Sequence, residues 1–421
     1  MAGTKATRQA SISQIAIFMA IVVATVGQTF VFSVLPPIGR KIGIADVLIA
    51  LISAGSALFY TIGAPVLGGL TERLGRKPFI LAGLISGVVA NGLFGLVVQL
   101  SFDGSIATNT TYAGLVFLRL ALSVSWAGMF PAAQALIADT TQPERRTAAF
   151  ALIGAAFSLG MICGPAIGAA LSVFGLVAPF YCAAALHLVP LALTLVGVSE
   201  TAPNRSSTPG RRYEPPRNGV SARPIRTFLV IAVFYASCSS LVQQLMGFRL
   251  QDVFFLTEEQ TARWTGVLLV VMASAMLSAQ FITRAWMKRT RKAIEATLWM
   301  LVAGGAVGAL AVTVLATWPA SSLWLQSAAM AALGLGLGLL IPSVGAAISL
   351  IAGEGAQGRA AGLFSSAQGI GFVIGPALGT VMYEWSHTGP FWMASALLVT
   401  ISAIAWRTVM NAPNVEMRPV S

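Results

Sequence analysis

Long apolar segments recur along this chain at short intervals, and no other feature constrains its fold as strongly. Each has about 20 residues or more, the length that a helix needs to cross the hydrocarbon core of a bilayer. Because hydrocarbon offers no hydrogen-bond partners to an open backbone, such segments must be helical. The sequence therefore predicts an all-α membrane protein with 12 transmembrane helices. Their approximate bounds are 13–35, 47–70, 79–100, 112–138, 147–172, 176–198, 226–250, 264–286, 293–317, 321–350, 360–384 and 390–410.

The low content of charged residues leads to the same class of protein. Only 10% of the residues are charged and 56% are hydrophobic, whereas a soluble domain carries about 25% charged residues. The mean hydropathy is +0.81. So few charges cannot cover the surface of a soluble protein, which excludes a soluble enzyme and a disordered chain. The three cysteines and two histidines are widely spaced, so we predict no metal site and no cofactor.

The basic residues indicate how the helices are oriented. If the N-terminus is cytoplasmic, nearly all of the 26 lysines and arginines fall in cytoplasmic loops. The exceptions are Arg40, Lys41 and Arg263 in outer loops, and Arg119 and Arg249 within or at the edge of helices. This asymmetry follows the positive-inside rule, so both termini are predicted to be cytoplasmic. Because the basic charge is spread over many short loops, we expect no nucleic-acid partner.

Two segments of the chain repeat one pattern of glycine and proline. Gly160–Gly168 in the fifth predicted helix and Gly371–Gly379 in the eleventh both contain Gly-Pro, and the two copies lie 211 residues apart. Pro131 and Pro342 share the same offset. Parallel repeats of this kind frame a central site in many transporters. We therefore expect two repeated six-helix halves.

The longest polar segment separates these halves. Residues 199–226 contain several prolines and arginines, a composition typical of an extended or flexible linker. The predicted domains are an N-terminal six-helix half over residues 1–198, a cytoplasmic linker over residues 199–226, and a C-terminal six-helix half over residues 227–421.

The loop after the second predicted helix, from Gly68 to Pro78, combines glycines with charges and reads GGLTERLGRKP. Glycine permits a tight reversal, and the charges can form a network that holds one conformation; alternatively, the cations only set the topology. The loop resembles the signature G-x-L-x-D-R-x-G-R-K of the major facilitator superfamily, with Glu72 where aspartate is usual. The resemblance implies the major facilitator fold, with a conformational-switch loop formed by Gly68, Glu72, Arg73, Gly75, Arg76 and Lys77.

The fifth predicted helix contains Gly160, Gly164, Pro165 and Gly168. Small residues four apart let two helices approach closely, and proline bends a helix because it lacks a backbone donor. The segment resembles a second signature, G-x-x-x-G-P-x-x-G-G, which is associated with proton-coupled efflux antiporters; Ala169 replaces the last glycine. The resemblance implies a pivot or leak seal, and helix packing alone is the alternative.

Arg119 lies inside the fourth predicted helix, where a charged side chain costs about 2.5–3.5 kcal/mol on insertion scales. It begins a stripe at helical spacing with Ser123, Trp126, Phe130 and Gln134. This pattern predicts residues that line a cavity, unless Arg119 snorkels to the outer surface. Polar residues of other helices could line the same cavity or merely hydrogen-bond between helices. These candidates are Gln28, Gln243, Gln244 and Gln368.

The predicted function is secondary transport, with proton-coupled efflux of amphiphilic drugs or metabolites by alternating access. The resemblance to the superfamily implies transport, and the motif in the fifth helix implies the outward direction. The chain contains no ATP-binding loop of the form G-x-x-x-x-G-K-[ST]. The expected partners are a small-molecule substrate, protons and the lipid bilayer, and we expect the monomer to be functional.

Other functions stay open at this point. Arg119 and Arg249 would suit an organic anion such as a siderophore or a carboxylate. A membrane-embedded enzyme would need acids, histidines or a nucleophile clustered within the helices. The available carboxylates lie near the ends of the predicted helices instead. A channel fits the two-half duplication poorly, because such a duplication suits rocking about a central site.

Overall fold

The computed structural model describes residues 2–140, 146–200, 222–287, 293–318, 322–352 and 357–410, and these residues contain no β-strand. They form 13 α-helices and a short 3₁₀ helix at Ser172–Phe174. The α-helices are α1 (Ala2–Thr29), α2 (Val31–Ile42), α3 (Asp46–Leu74), α4 (Lys77–Phe102), α5 (Thr108–Thr140), α6 (Arg146–Leu171), α7 (Ala178–Gly197), α8 (Ala222–Phe254), α9 (Glu258–Met287), α10 (Ala293–Thr317), α11 (Leu323–Ala352), α12 (Gln357–Trp385) and α13 (Gly389–Met410).

Eleven candidate membrane spans occur in the described residues. The first of them, Ser13–Ile42, comprises the end of α1 and all of α2. The segment predicted to span at 360–384 is helical as α12 but is not among these eleven. The all-α membrane class is therefore confirmed, while the count of 12 spans and the cytoplasmic termini stay predictions.

The first span is interrupted at Phe30, between α1 and α2. The backbone N–H of Ser33 donates to the carbonyl of Phe30 at 3.0 Å, a shorter loop than the α-helical pattern. Pro36 and Pro37 follow inside α2 and lack the N–H groups that an unbroken helix would use. The interruption places main-chain carbonyls where side chains of neighbouring helices can reach them.

The chain divides into two compact units. Unit 1 comprises Met1–Val220 and Gln243–Val270, and unit 2 comprises Ser221–Val242 and Val271–Ser421. The predicted domain limits at residues 198 and 227 stay a prediction. Most of the predicted linker, residues 201–221, lies outside the described part of the chain.

In unit 1, helix α1 packs on α6 and α7, and α5 packs on α3 and α4. The side chains of Ile17, Leu84 and Met129 are fully buried in one apolar cluster at this packing. In unit 2, α10 packs on α11 and α13, and Gly304 and Gly336 allow close contact because a Cβ on Gly336 would lie 2.7 Å from the Gly304 carbonyl oxygen.

Candidate functional site

Arg119 of α5 reaches the interruption of the first span. Its side chain is 6% exposed. Nη1 donates to the carbonyl of Gly27 at 3.2 Å and Nη2 to the carbonyl of Gln28 at 3.0 Å. Its Nε is buried and has no hydrogen-bond partner among the described residues. The guanidinium is thus held by main-chain carbonyls, inside unit 1 rather than at a lipid surface.

Helix α6 contacts the first span through a row of glycines, which we call the glycine seam. Gly160, Gly164 and Gly168 of α6 lie against Thr25, Thr29 and Ser33. A side chain on any of the three glycines would collide with its partner residue. Thr29 Oγ1 lies 3.2 Å from the carbonyl of Gly160 and 2.8 Å from the carbonyl of Thr25, so its one proton is shared between α6 and its own helix. The two helices therefore meet at the separation that only glycine permits.

Unit 2 repeats this contact at the same offset of 211 residues. Gly371, Gly375 and Gly379 of α12 lie against Ala236, Ser240 and Leu241 of α8. Ser240 Oγ lies 3.2 Å from the carbonyl of Gly371, which matches the bond from Thr29 to Gly160. The duplicated glycine pattern of the sequence thus corresponds to a duplicated hydrogen bond between helices.

Helix α6 makes a second close contact in unit 1, between its Pro165 and Gly266 of α9. The carbonyl of Pro165 lies where a Cβ of Gly266 in α9 would be, so that a side chain at Gly266 is excluded. Ala169, the residue that departs from the glycine of the antiporter signature, also contacts Gly266. The Gly-Pro segment is therefore tightly packed on both α1 and α9.

The loop between α3 and α4 is organised by a carboxylate that the sequence pattern did not single out. The backbone N–H groups of Arg76 and Lys77 donate to Glu200 at 2.8 and 3.1 Å. Gly75 has a φ of +98°, and a Cβ there would lie 2.8 Å from the Glu200 carboxylate. Glu200 thus satisfies open donors at the N-terminus of α4. Its one sequence signal is its position just after the sixth predicted helix.

The charges of this loop have further partners. Arg76 Nε lies 3.1 Å from Asp139 at the end of α5, and Lys77 Nζ donates to the carbonyl of Leu195 at 3.0 Å. Gly68 packs against Pro131: a Cβ added at Gly68 would lie 3.4 Å from the Cβ of the proline. Arg73 is exposed, and the side chain of Glu72 lies outside the described part.

The predicted cavity residues of unit 1 lie on several helices. The hydroxyl of Ser123 pairs with that of Ser56, and Ser53 Oγ donates to Gln244 Oε1 at 2.9 Å. The ring of Trp126 lies 4.8 Å from that of Tyr60, centroid to centroid. The buried indole Nε1 has no partner among the described residues. Gln28 and Gln134 are half-buried, and Gln243 is buried.

Gln368 lies in unit 2, where its Nε2 donates to the hydroxyl of Tyr235 at 2.6 Å. It therefore bonds between α12 and α8, as the packing interpretation of such residues expects. Its membership of a cavity with the residues of unit 1 stays a prediction.

Unit 1 also contains an ion cluster that joins residues distant in sequence. Arg40, near the end of α2, binds Asp46 and Asp252, with a shortest N–O distance of 2.6 Å to each. Its guanidinium carbon lies 4.9 Å from the ring centroid of Phe248. The sequence placed Arg40 in a loop and the two acids near helix ends. Only the fold brings Asp252 of α8 to α2.

Comparison with known families gives a consistent result. The family model described as Major Facilitator Superfamily matches residues 17–318 and 297–420. Tetracycline resistance protein, class C, of Escherichia coli is 26% identical over 396 residues, which cover 91% of this chain and 93% of that protein. Multidrug resistance protein 2 of Bacillus subtilis is 25% identical over 387 residues, which cover 90% of each.

A solved structure shares the fold. It is that of a bacterial homologue of the human lysosomal transporter Spinster, in an inward-facing, unoccupied conformation. The TM-score is 0.68 at 16% identity, over 95% of this chain and 96% of that one. At this identity the similarity establishes the fold alone.

Proposed function

Because the chain belongs to the Major Facilitator Superfamily, we propose that it exports amphiphilic compounds in exchange for protons, by alternating access. It is a multi-pass protein of the cytoplasmic membrane and a transporter by family. The relatives whose names denote resistance to tetracycline or to several drugs support efflux and a drug-like substrate. In this proposal the chain acts as a monomer with 12 spans and two cytoplasmic termini.

The observation that carries the proposal is the duplicated glycine contact. The first span meets α6 through Thr29 and Gly160, and α8 meets α12 through Ser240 and Gly371, by equivalent hydrogen bonds. Helices that pack closely through small residues can rotate or slide by small amounts against each other. Two equivalent contacts support two pivots, one for each repeated half, as alternating access requires.

The loop between α3 and α4 supplies a conformational latch in this scheme. Glu200 and Asp139 hold the backbone and side chain of Arg76 at 2.8 and 3.1 Å. These ionic contacts lie near helix ends, where water can replace them at modest cost. They can therefore break in one state of the transport cycle and re-form in another.

A flux assay tests the proposal. Respiring inverted membrane vesicles are given ethidium or tetracycline while the lumenal pH is followed. Export into the lumen in exchange for protons makes the lumen more alkaline when a substrate is added. An Arg119→Gln variant should abolish the response, because it removes the side chain that binds the carbonyls of Gly27 and Gln28. Silence with both compounds and with carboxylates, in folded wild-type protein, would contradict proton-coupled efflux.

A second candidate, transport of an organic anion, is favoured by one observation. The buried guanidinium of Arg119 hydrogen-bonds only to carbonyls among the described residues, and its Nε has no partner there. A buried cation with no carboxylate nearby is suited to bind an anionic group. If this candidate is right, Arg119→Gln removes transport of carboxylates and leaves ethidium transport intact.

A further inference from the structure

His187 is the feature of unit 1 that the proposed function does not yet use. It lies midway along α7 (Ala178–Gly197) and is 2% exposed. Its imidazole packs directly on Gly87 of α4, where any side chain would overlap the ring. On the other side it faces Gly27 of α1, where a Cβ would lie 3.2 Å from Cε1. Two glycines on two helices thus make room for one imidazole in the middle of a span.

The hydrogen bond that the His187 ring makes determines which of its two nitrogens can bind an added proton. Nδ1 lies 2.7 Å from the carbonyl oxygen of Ala183. Because a carbonyl only accepts, Nδ1 carries a hydrogen, and the neutral ring keeps its lone pair on Nε2. Nε2 is 3.7 Å from the Cβ position of Gly27, and Nδ2 of Asn91 is 3.5 Å from the same point. Nε2 also lies against Gly87 of α4, where a Cβ would overlap it, so a proton added there lies between α4 and α1.

Arg119 holds the same part of α1. Its Nη1 and Nη2 donate to the carbonyls of Gly27 and Gln28, so an imidazolium at His187 would be a second cation beside Gly27. The other charged residues on the helices that pack on α7, and on α7 itself, are basic and lie at helix ends: Lys5 and Arg8 in the first two turns of α1, Lys77 at the first residue of α4, and Arg146 at the first residue of α6. Nothing else on these helices offsets the repulsion between the two cations, which is strong where water is excluded.

Within the residues that the structure describes, no carboxylate lies in the middle of a span where it could bind this proton instead. The acids in the described part lie in loops or within a few residues of a helix end, as Asp46, Asp139, Asp252, Glu295 and Glu384 do. His187 is thus the group inside the spans of unit 1 whose ordinary pKa lies near neutrality.

We propose that His187 is the proton-binding residue that couples proton movement to rearrangement of the interrupted first span. This inference rests on the proposed proton-coupled transport and names its coupling site. With His187 neutral, Arg119 stays on the carbonyls of Gly27 and Gln28. When Nε2 takes a proton from water, repulsion weakens the hold of Arg119 and frees the first span to change shape. Return of the proton to water restores the contact.

A titration of the imidazole tests the site without any transport measurement. The chain has two histidines, so the His387→Asn variant leaves His187 as the single histidine signal in ¹³Cε1-histidine NMR. We expect this signal to titrate, because an imidazole that couples proton movement must exist in both protonation states. Arg119→Gln in the same background should raise the midpoint by about one pH unit or more, because it removes a neighbouring cation. A signal that does not titrate, or a midpoint unmoved by Arg119→Gln, would overturn the proposal.

Transport in proteoliposomes gives the second arm, with ethidium as the probe. His187→Asn and His187→Gln should lose accumulation driven by a pH gradient and retain ethidium exchange at equal pH. The matched control, His387→Asn, changes an exposed histidine in unit 2 and should retain both activities. Retained pH-driven accumulation in folded His187 variants would overturn the proposal. Wild-type protein that moves ethidium without protons would instead contradict the proposed function itself.

Discussion

At the scale of single residues, the glycine seam shows what the sequence can predict. The small residues and their spacing in α6 were evident from the sequence, but the residues that they contact on the neighbouring helix were not. The repeated small residues predicted a close helix contact, and Gly164 does lie against a neighbouring helix. That its partner is Thr29, 135 positions away, depends on how α6 and α1 pack. Sequence spacing defines one face of a helix but not the residue opposite to it.

Gly164→Ala should destabilise the protein. The new methyl group would overlap Thr29 Oγ1 and force α1 and α6 apart, an overpacking cost of about 1–3 kcal/mol in the free energy of unfolding. The midpoint of thermal unfolding, followed by tryptophan fluorescence in detergent, measures this loss. Gly154→Ala is the matched control on the same helix, because a Cβ there meets nothing within 4 Å. Equal effects of the two substitutions would contradict the seam.

Glu200→Gln should loosen the loop between α3 and α4. It removes the negative charge that the N–H groups of Arg76 and Lys77 contact at the start of α4. Because glutamine keeps a carbonyl acceptor, only the favourable charge at the helix N-terminus is lost, which contributes about 0.3–1 kcal/mol. Hydrogen exchange of the Arg76 and Lys77 amides measures the effect, and Asp103→Asn, an acid at the other end of α4, is the control. Unchanged exchange in Glu200→Gln would show that the carboxylate does not hold this loop.

At the scale of helices, the interruption of the first span was not predicted from the sequence. The structure ends α1 at Thr29 and begins α2 at Val31. The sequence treated residues 13–35 as one span and left Arg40 in a loop, whereas the first span continues to Ile42. A helix can carry charged residues at its end because their heads reach water, so hydropathy alone ended the segment too early.

The end of α2 is tied to the end of α8 by Arg40 and Asp252, at 2.6 Å. Both side chains are about a quarter exposed, so solvent screens the pair and we expect a coupling energy of about 0.5–1 kcal/mol. A double-mutant cycle with Arg40→Gln and Asp252→Asn, read by thermal unfolding at low and high salt, measures it. The more exposed pair of Lys41 and Glu259, 3.8 Å apart, serves as control and should give a value near zero. A cycle energy of zero for Arg40 and Asp252 would contradict this tie between helices.

At the scale of the whole molecule, the twelfth span remains to be tested. If α12 and α13 both cross the membrane and the termini are cytoplasmic, Ser386 lies outside and Ser421 inside. In a background without native cysteines, Ser386→Cys should react with a membrane-impermeant maleimide in intact cells, and Ser421→Cys only after permeabilisation. Ser105→Cys, between α4 and α5, is the control for an outer loop. The reverse labelling of Ser386 and Ser421 would show that α12 does not span.

The sequence by itself determined the membrane class, the helical segments and the duplicated glycine pattern, because these follow from properties local to each segment: its length, its hydropathy and its small-residue spacing. Residues of the signature motifs were also evident from sequence alone. Only the tertiary structure decided that Glu200 contacts Arg76 and that Asp252 contacts Arg40. It also decided that Arg119 and His187 each contact Gly27. Such contacts join positions far apart in the chain. They depend on how the helices pack against each other, and the hydropathy that places each helix in the bilayer does not define this packing.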